Sequence, residues 1–217
     1  MLRFGPDHGP VVVVASALFE EANRTRAFLV RTLRLLASEG VASVLPDLPG
    51  AGESLVPTSQ ATLNGWRTAF AAAAQSVGRS VLVLAVRGGA LVDTMVDAAG
   101  RYHFASLTGA SLIRDLVRTR QAAAREEGER FDPAELERPG PPILLAGNLV
   151  DRSLLSDLAR AEPVSANRTA RLGTDPYPAN LRLSGRPLWR ASEPDVDAPL
   201  AAALAADIAA WVRRCDA

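Results

Sequence analysis

The sequence predicts a three-layer α/β/α sandwich built on a mostly parallel sheet. Three observations carry that expectation. Short runs that are apolar at every position recur along the chain, as parallel strands covered by helices on both faces require. Segments of helical period lie between those runs, which is the alternation of a doubly wound sheet. The chain has 217 residues, 48% apolar and 22% charged, which suits one domain over residues 1–217 with a buried core.

Pro10–Leu18 reads as the first strand, apolar on both faces, and Val41–Pro46 as the second. Ser80–Val86 is the third, His103–Thr108 the fourth and Pro142–Ala146 the fifth. Glu21–Ser38 predicts a helix with Phe28, Leu29, Leu33 and Leu36 on one face, ending at Gly40. Further helices are expected over Leu63–Val77, Gly88–Ala99, Leu112–Glu127, Ser153–Ala161 and Pro199–Arg214. Residues 128–142 and 163–187 break the rhythm and read as exposed connections or lid-like loops, with an edge strand or hairpin near Asn180–Gly185. Only ten residues precede the first apolar strand, so the antiparallel pair that commonly opens such a sheet is expected to be missing.

Charge and composition exclude several functions. The 24 acidic and 24 basic residues cancel, so nothing draws the chain to nucleic acid or an anionic membrane. Every basic residue is Arg, which removes any mechanism needing a lysine amine. The single cysteine, Cys215, forms no metal or disulfide framework. No nucleotide cradle or metal-ligand spacing is present, so no cofactor is expected. The first ten residues carry no signal-peptide pattern and no apolar run is long enough to span a bilayer, so the chain reads as cytoplasmic.

Ligands of open α/β sheets bind at the carboxyl ends of the strands. After the third strand the chain reads Ala85-Val-Arg87-Gly-Gly89, in the strand–turn–helix setting of the G-x-S-x-G nucleophile elbow, with Arg87 at the nucleophile position. Upstream, Asp47-Leu-Pro-Gly-Ala-Gly-Glu-Ser54 is similar to the D-x-x-G-x-G-x-S loop of α/β-hydrolases. With Leu18-Phe-Glu-Glu-Ala-Asn-Arg-Thr-Arg26 and Val86-Arg-Gly-Gly-Ala90, the chain resembles the exosortase A system-associated hydrolases, type 2, over about residues 10–160. Ser16-Ala17-Leu18 stands where that group has Pro-Pro. The resemblance implies a trimmed α/β-hydrolase-like fold with a degenerate elbow and a place in exosortase, PEP-CTERM or exopolysaccharide biology.

A serine hydrolase needs a histidine base within about 3 Å of its nucleophile. Both histidines, His8 and His103, are expected at the amino ends of strands, about 15–20 Å from Arg87 at 3.3 Å per residue. Asp151 is the one plausible relic of the triad acid. Arg87 is instead expected at the N-terminus of the Gly88–Ala99 helix, where guanidinium and helix dipole together favour a carboxylate or phosphate. Gly88, Phe19, Glu20, Glu21, Asn23 and Arg24 would complete that pocket. Three functions stay open: a protein binding a small anionic ligand, an atypical esterase or thioesterase, and an interaction protein whose pocket is plugged by an Arg87–Glu bridge. Arg114, Arg118, Arg120 and Arg125 read as a solvated helix face, or as a docking face for an acidic protein partner.

Overall fold

The computed structural model describes residues 1–215. Its strands are β1 (Leu2–Phe4), β2 (Val11–Ala15), β3 (Ala42–Leu45), β4 (Val81–Val86), β5 (Gly100–Phe104), β6 (Ile143–Leu145), β7 (Asn148–Val150), β8 (Arg168–Leu172) and β9 (Leu181–Leu183). Seven of them form one sheet in the order β1-β3-β2-β4-β5-β8-β9, parallel except for β1. The helices are α1 (Glu20–Ser38), α2 (Leu63–Gln75), α3 (Gly109–Glu126), α4 (Arg152–Ala159) and α5 (Ala198–Cys215). The predicted three-layer sandwich is what the chain adopts.

The unbroken apolar strands are explained by their two buried faces. Val11, Val13, Val83 and Ala85 point into one core with Trp66, Phe70, Leu112 and Leu154 of α2, α3 and α4. Val12, Val14, Leu82 and Leu84 point into the other with Phe28 and Leu33 of α1 and Ile208 and Trp211 of α5. α5 is also tied to the sheet by charge: Arg168 donates to both oxygens of Asp207 at 2.7 and 2.6 Å, and the Tyr102 hydroxyl donates to Asp207 at 2.8 Å. Among the described residues no helix is long and apolar enough to cross a membrane.

Several expectations are corrected. The segment after β4 is not an α-helix over Gly88–Ala99 but two short 3-10 turns, Arg87–Leu91 and Asp93–Met95. Gly89 presses so close to β2 that a Cβ there would lie 2.2 Å from the Ala15 carbonyl oxygen. The fourth strand begins at Gly100 rather than His103, because Arg101 sends its guanidinium to the Asp93 and Val96 carbonyls and leaves the backbone free to pair. The run Pro142–Ala146 does not join the sheet. It forms the β6–β7 hairpin, closed through Ala146 (φ 46°) and Gly147 (φ 76°), the left-handed pair that a tight hairpin turn needs. The fifth sheet strand is β8, whose Arg168-Thr-Ala-Arg-Leu172 sequence is too polar to show as an apolar run. So residues 163–187 are more than a connection: besides the edge strand β9, expected near Asn180–Gly185, they supply β8. β1 provides one short antiparallel strand where none was expected.

Candidate functional site

The order β3-β2-β4 marks a switch in sheet winding, and the carboxyl ends of β2 and β4 face a crevice there. Among the described residues, three of the four non-glycine positions with positive φ lie beyond the carboxyl ends of adjacent parallel strands: Phe19 after β2 (56°), Arg87 after β4 (53°) and Ala105 after β5 (49°). Side chains in this left-handed region cost about 1–3 kcal/mol each and persist where neighbouring contacts hold them. The Arg87 contacts are extensive. Nε donates to Glu21 Oε2 at 3.1 Å, one terminal nitrogen donates to Glu21 Oε1 at 2.7 Å and to Asp115 Oδ2 at 3.2 Å, and the other donates to the Ala105 carbonyl at 3.3 Å. The guanidinium carbon also lies 4.6 Å from the centre of the Trp189 ring. Arg87 is 7% exposed. Burial pushes the Glu21 carboxyl above its ordinary range, and the Arg87 charge offsets this only in part.

A cleft of about 410 Å³ opens beside this network. Arg87, Arg114, Arg118, Arg171 and Arg190 line it against two aspartates, Asp115 and Asp175, an excess of three positive charges. Arg171 is held by Asp175 at 2.7 Å and by the Ser106 carbonyl at 2.7 Å. Arg114 donates to Ser111 Oγ at 2.7 Å, and among the described residues neither Arg114 nor Arg190 has a carboxylate partner. Ser106, Thr108 and Ser111 add hydroxyls, the last two around the first turn of α3. That turn is anchored by Gly109, whose N–H donates to the Ala161 carbonyl at 2.9 Å and whose missing Cβ lets Leu158 approach. No three His, Cys, Asp or Glu side chains among the described residues converge as metal ligands.

Solved structures share this architecture. Alpha/beta hydrolase domain-containing protein 10 from mouse superposes with a TM-score of 0.53 at 14% identity, covering 98% of this chain and 93% of its own. Est1E from Butyrivibrio proteoclasticus, with ferulic acid bound, gives 0.54 at 16% identity over 76% of this chain and 68% of its own. The fold is that of the α/β-hydrolases. No family model matches the chain and no curated protein sequence matches it. Arg87 takes its positive φ directly after β4, and Asp175 stands just beyond β8.

Asp151 does not line the cleft beside Arg87. It comes after the outlying hairpin and caps α4, accepting from the Ser153 N–H at 2.8 Å and from Ser153 Oγ at 2.5 Å, bonds that hold its carboxyl below the usual range. His103 is not at a strand's amino end either. It is the fourth of five residues of β5 and pairs in register with Ala85, two positions before Arg87. Its Nε2 lies 3.0 Å from Asp93, and the ring is 2% exposed. His8 is exposed ahead of β2.

The first-loop residues separate. Glu21 joins Arg87, and Glu20 and Arg24 line a neighbouring cavity of about 260 Å³, with Arg24 donating to the Trp189 carbonyl at 3.2 Å. Asn23 and Phe19 face a different, smaller cavity of about 140 Å³, and Asn23 donates to Glu20 at 3.3 Å. Gly88 packs against Leu18 and Leu112 and offers the cleft nothing. Residues missed from sequence are Arg171 and Asp175, hidden because β8 gave no apolar signal, and Arg190, in the 3-10 turn Leu188–Arg190. Trp189 belongs to the core and is also the platform under Arg87.

Proposed function

We propose that this chain is a non-hydrolytic protein on the α/β-hydrolase fold that binds a small carboxylate or phosphate in the cleft beside Arg87. The observation that carries the reading is that Arg114 and Arg190, on the lining of that cleft, are engaged by no carboxylate among the described residues. Guanidinium groups recognise such anions through paired, charge-assisted hydrogen bonds. Arg87 shapes the wall rather than meeting the ligand, because Glu21, Asp115 and the Ala105 carbonyl already take its donors. The resemblance of residues 18–26, 47–54 and 86–90 to exosortase-associated hydrolases supports a role in exosortase or exopolysaccharide biology.

An esterase would need a nucleophile and a base in the cleft. Ser106 and Ser111 supply hydroxyls, but Asp115 and Asp175 are ion-paired with arginine, and among the described residues neither carboxylate is hydrogen-bonded to either serine. The plugged Arg87 favours, in second place, an interaction protein whose former active site is filled by its own side chains. Melting temperature measured with phosphate replacing chloride at constant ionic strength tests the first reading. A ligand at a hundredfold its Kd stabilises by about 2.7 kcal/mol, and the Arg114→Ala/Arg190→Ala double variant is expected to lose most of that shift. Equal shifts in both proteins refute it. A stoichiometric fluorophosphonate adduct on Ser106 or Ser111 would put the esterase first.

A further inference from the structure

A second cavity, of about 850 Å³, runs along the far side of α3. Its floor is apolar: Ile113 and Val117 of α3, Pro133 and Leu136 of the 3-10 turn Pro133–Glu137, and Leu155 and Ala159 of α4. Two residues, Arg114 and Arg118, line both this groove and the cationic cleft. They form the ridge between the two. Arginine stems cover apolar surface while their heads stay in water, so the ridge is compatible with a chain crossing it. From Ile113 to Gln121 the groove runs with α3 for about 12 Å at 1.5 Å rise per residue.

We infer that the ligand is a single-chain amphiphilic anion, with its carboxylate or phosphate head among Arg114, Arg171 and Arg190 and its apolar tail laid over the ridge into the groove. This rests on the anion-binding reading above and adds the tail. Charge and continuity choose the occupant. Arg114 and Arg118 stand on the edge that the groove shares with the cleft, and Arg138 and Arg152 border it elsewhere against the one carboxylate of Glu137, so the apolar floor is rimmed by net positive charge. One head with one tail fills both cavities at once. A short anion would leave the apolar floor wet, and a neutral chain would leave the arginines unmatched.

Calorimetric titration with inorganic, butyl, octyl and dodecyl phosphate, each below its micelle concentration, tests this. Affinity is expected to rise with chain length until the groove is full, by up to about fourfold per fully buried methylene. Val117→Asn on α3 and Leu136→Asn on the 3-10 turn, both neutral changes on different elements, are expected to shrink the ratio of dodecyl to inorganic phosphate affinity at least tenfold. Dodecyltrimethylammonium is expected not to bind. Phosphate binding without any chain-length gain overturns the tail and leaves the anion reading standing. No binding by any phosphate overturns both. An undiminished ratio in both variants overturns the groove as the tail's place, and equal binding of the alkylammonium reduces the effect to detergent association. If sedimentation shows a dimer that either variant dissociates, a second copy covers the groove and the inference falls. It falls likewise if an acidic amphipathic peptide, and no alkyl phosphate, binds in a Val117-dependent way.

Discussion

Two buried charge clusters stand on neighbouring strands, and their relation to the cleft is opposite. At the end of β4, Arg87 satisfies Glu21, Asp115 and the Ala105 carbonyl and stands as the cleft wall. Two residues before Ala105 on β5, His103 meets Asp93 beneath the α2 layer, with Asp93 at 0% exposure and its Oδ1 without a hydrogen-bond partner among the described residues. The chain thus places its one buried imidazole close to Arg87 along the sheet, yet commits it to a carboxylate that ties the turns after β4 to β5. Proximity in register does not make a base. A base must also face the reacting group and be free to take its proton.

The largest effect is expected at the first cluster. Arg87→Ala leaves Glu21 buried with its positive partner gone, and is expected to lower unfolding free energy in urea by about 3–5 kcal/mol. Adding Glu21→Gln should restore at least about 1 kcal/mol, since the stranded charge is the main cost. A loss under about 1 kcal/mol for Arg87→Ala would show that the cluster relaxes into water.

The second cluster should respond less. His103→Ala removes the hydrogen bond to Asp93 and is expected to cost about 1–3 kcal/mol in the same assay. Should it cost more than Arg87→Ala, the ranking of the two clusters is reversed.

A third charged contact, on the α5 face, gives the comparison a pH axis. Burial raises the Asp207 carboxyl, but hydrogen bonds from Arg168 and Tyr102 outweigh it and hold the group below the usual aspartate range. The unfolded chain takes up that proton at higher pH than the folded one. The stabilisation is therefore present above the ordinary aspartate value of about 3.9 and is lost as pH falls through the lower folded value. Asp207→Asn is expected to cost about 1 kcal/mol or less at neutral pH, as for a partly solvated pair, with the difference from wild type vanishing in acid. A difference that grows on acidification would contradict this.

The smallest stability effect separates binding from folding. Arg114 is exposed, with no carboxylate partner among the described residues, so Arg114→Ala is expected to leave unfolding free energy within about 0.5 kcal/mol of wild type. The phosphate-dependent rise in melting temperature should nevertheless shrink. A stability loss like that of Arg87→Ala would place Arg114 among the structural arginines.

The sheet core was legible because β2, β3 and β4 are buried on both faces and so favour apolar residues throughout. β8 was not, because it lies beyond β5 toward the edge of the sheet. There Arg168 and Arg171 find partners in Asp207 and Asp175, and a strand that pairs its charges needs no apolar run. The tight turn after β4 was legible from Arg87-Gly-Gly89, since only glycine lets the turn approach the Ala15 carbonyl. The conformation of the residues after that turn was hidden. A helical period over Gly88–Ala99 gave way to 3-10 turns held by Arg101 and Asp93, tertiary contacts with no local trace.

By itself, then, the amino-acid sequence determined the layers of this protein and the arginine and glycines that follow β4, because burial and residue type are local properties of the chain. Only the tertiary structure decided that Arg87 is spent on Glu21 and Asp115, that Asp175 rather than Asp151 stands beyond a strand of the main sheet, and that Arg114 and Arg118 divide a cationic cleft from an apolar groove. Those facts depend on which distant side chains share one space, and pairing across space has no period in sequence.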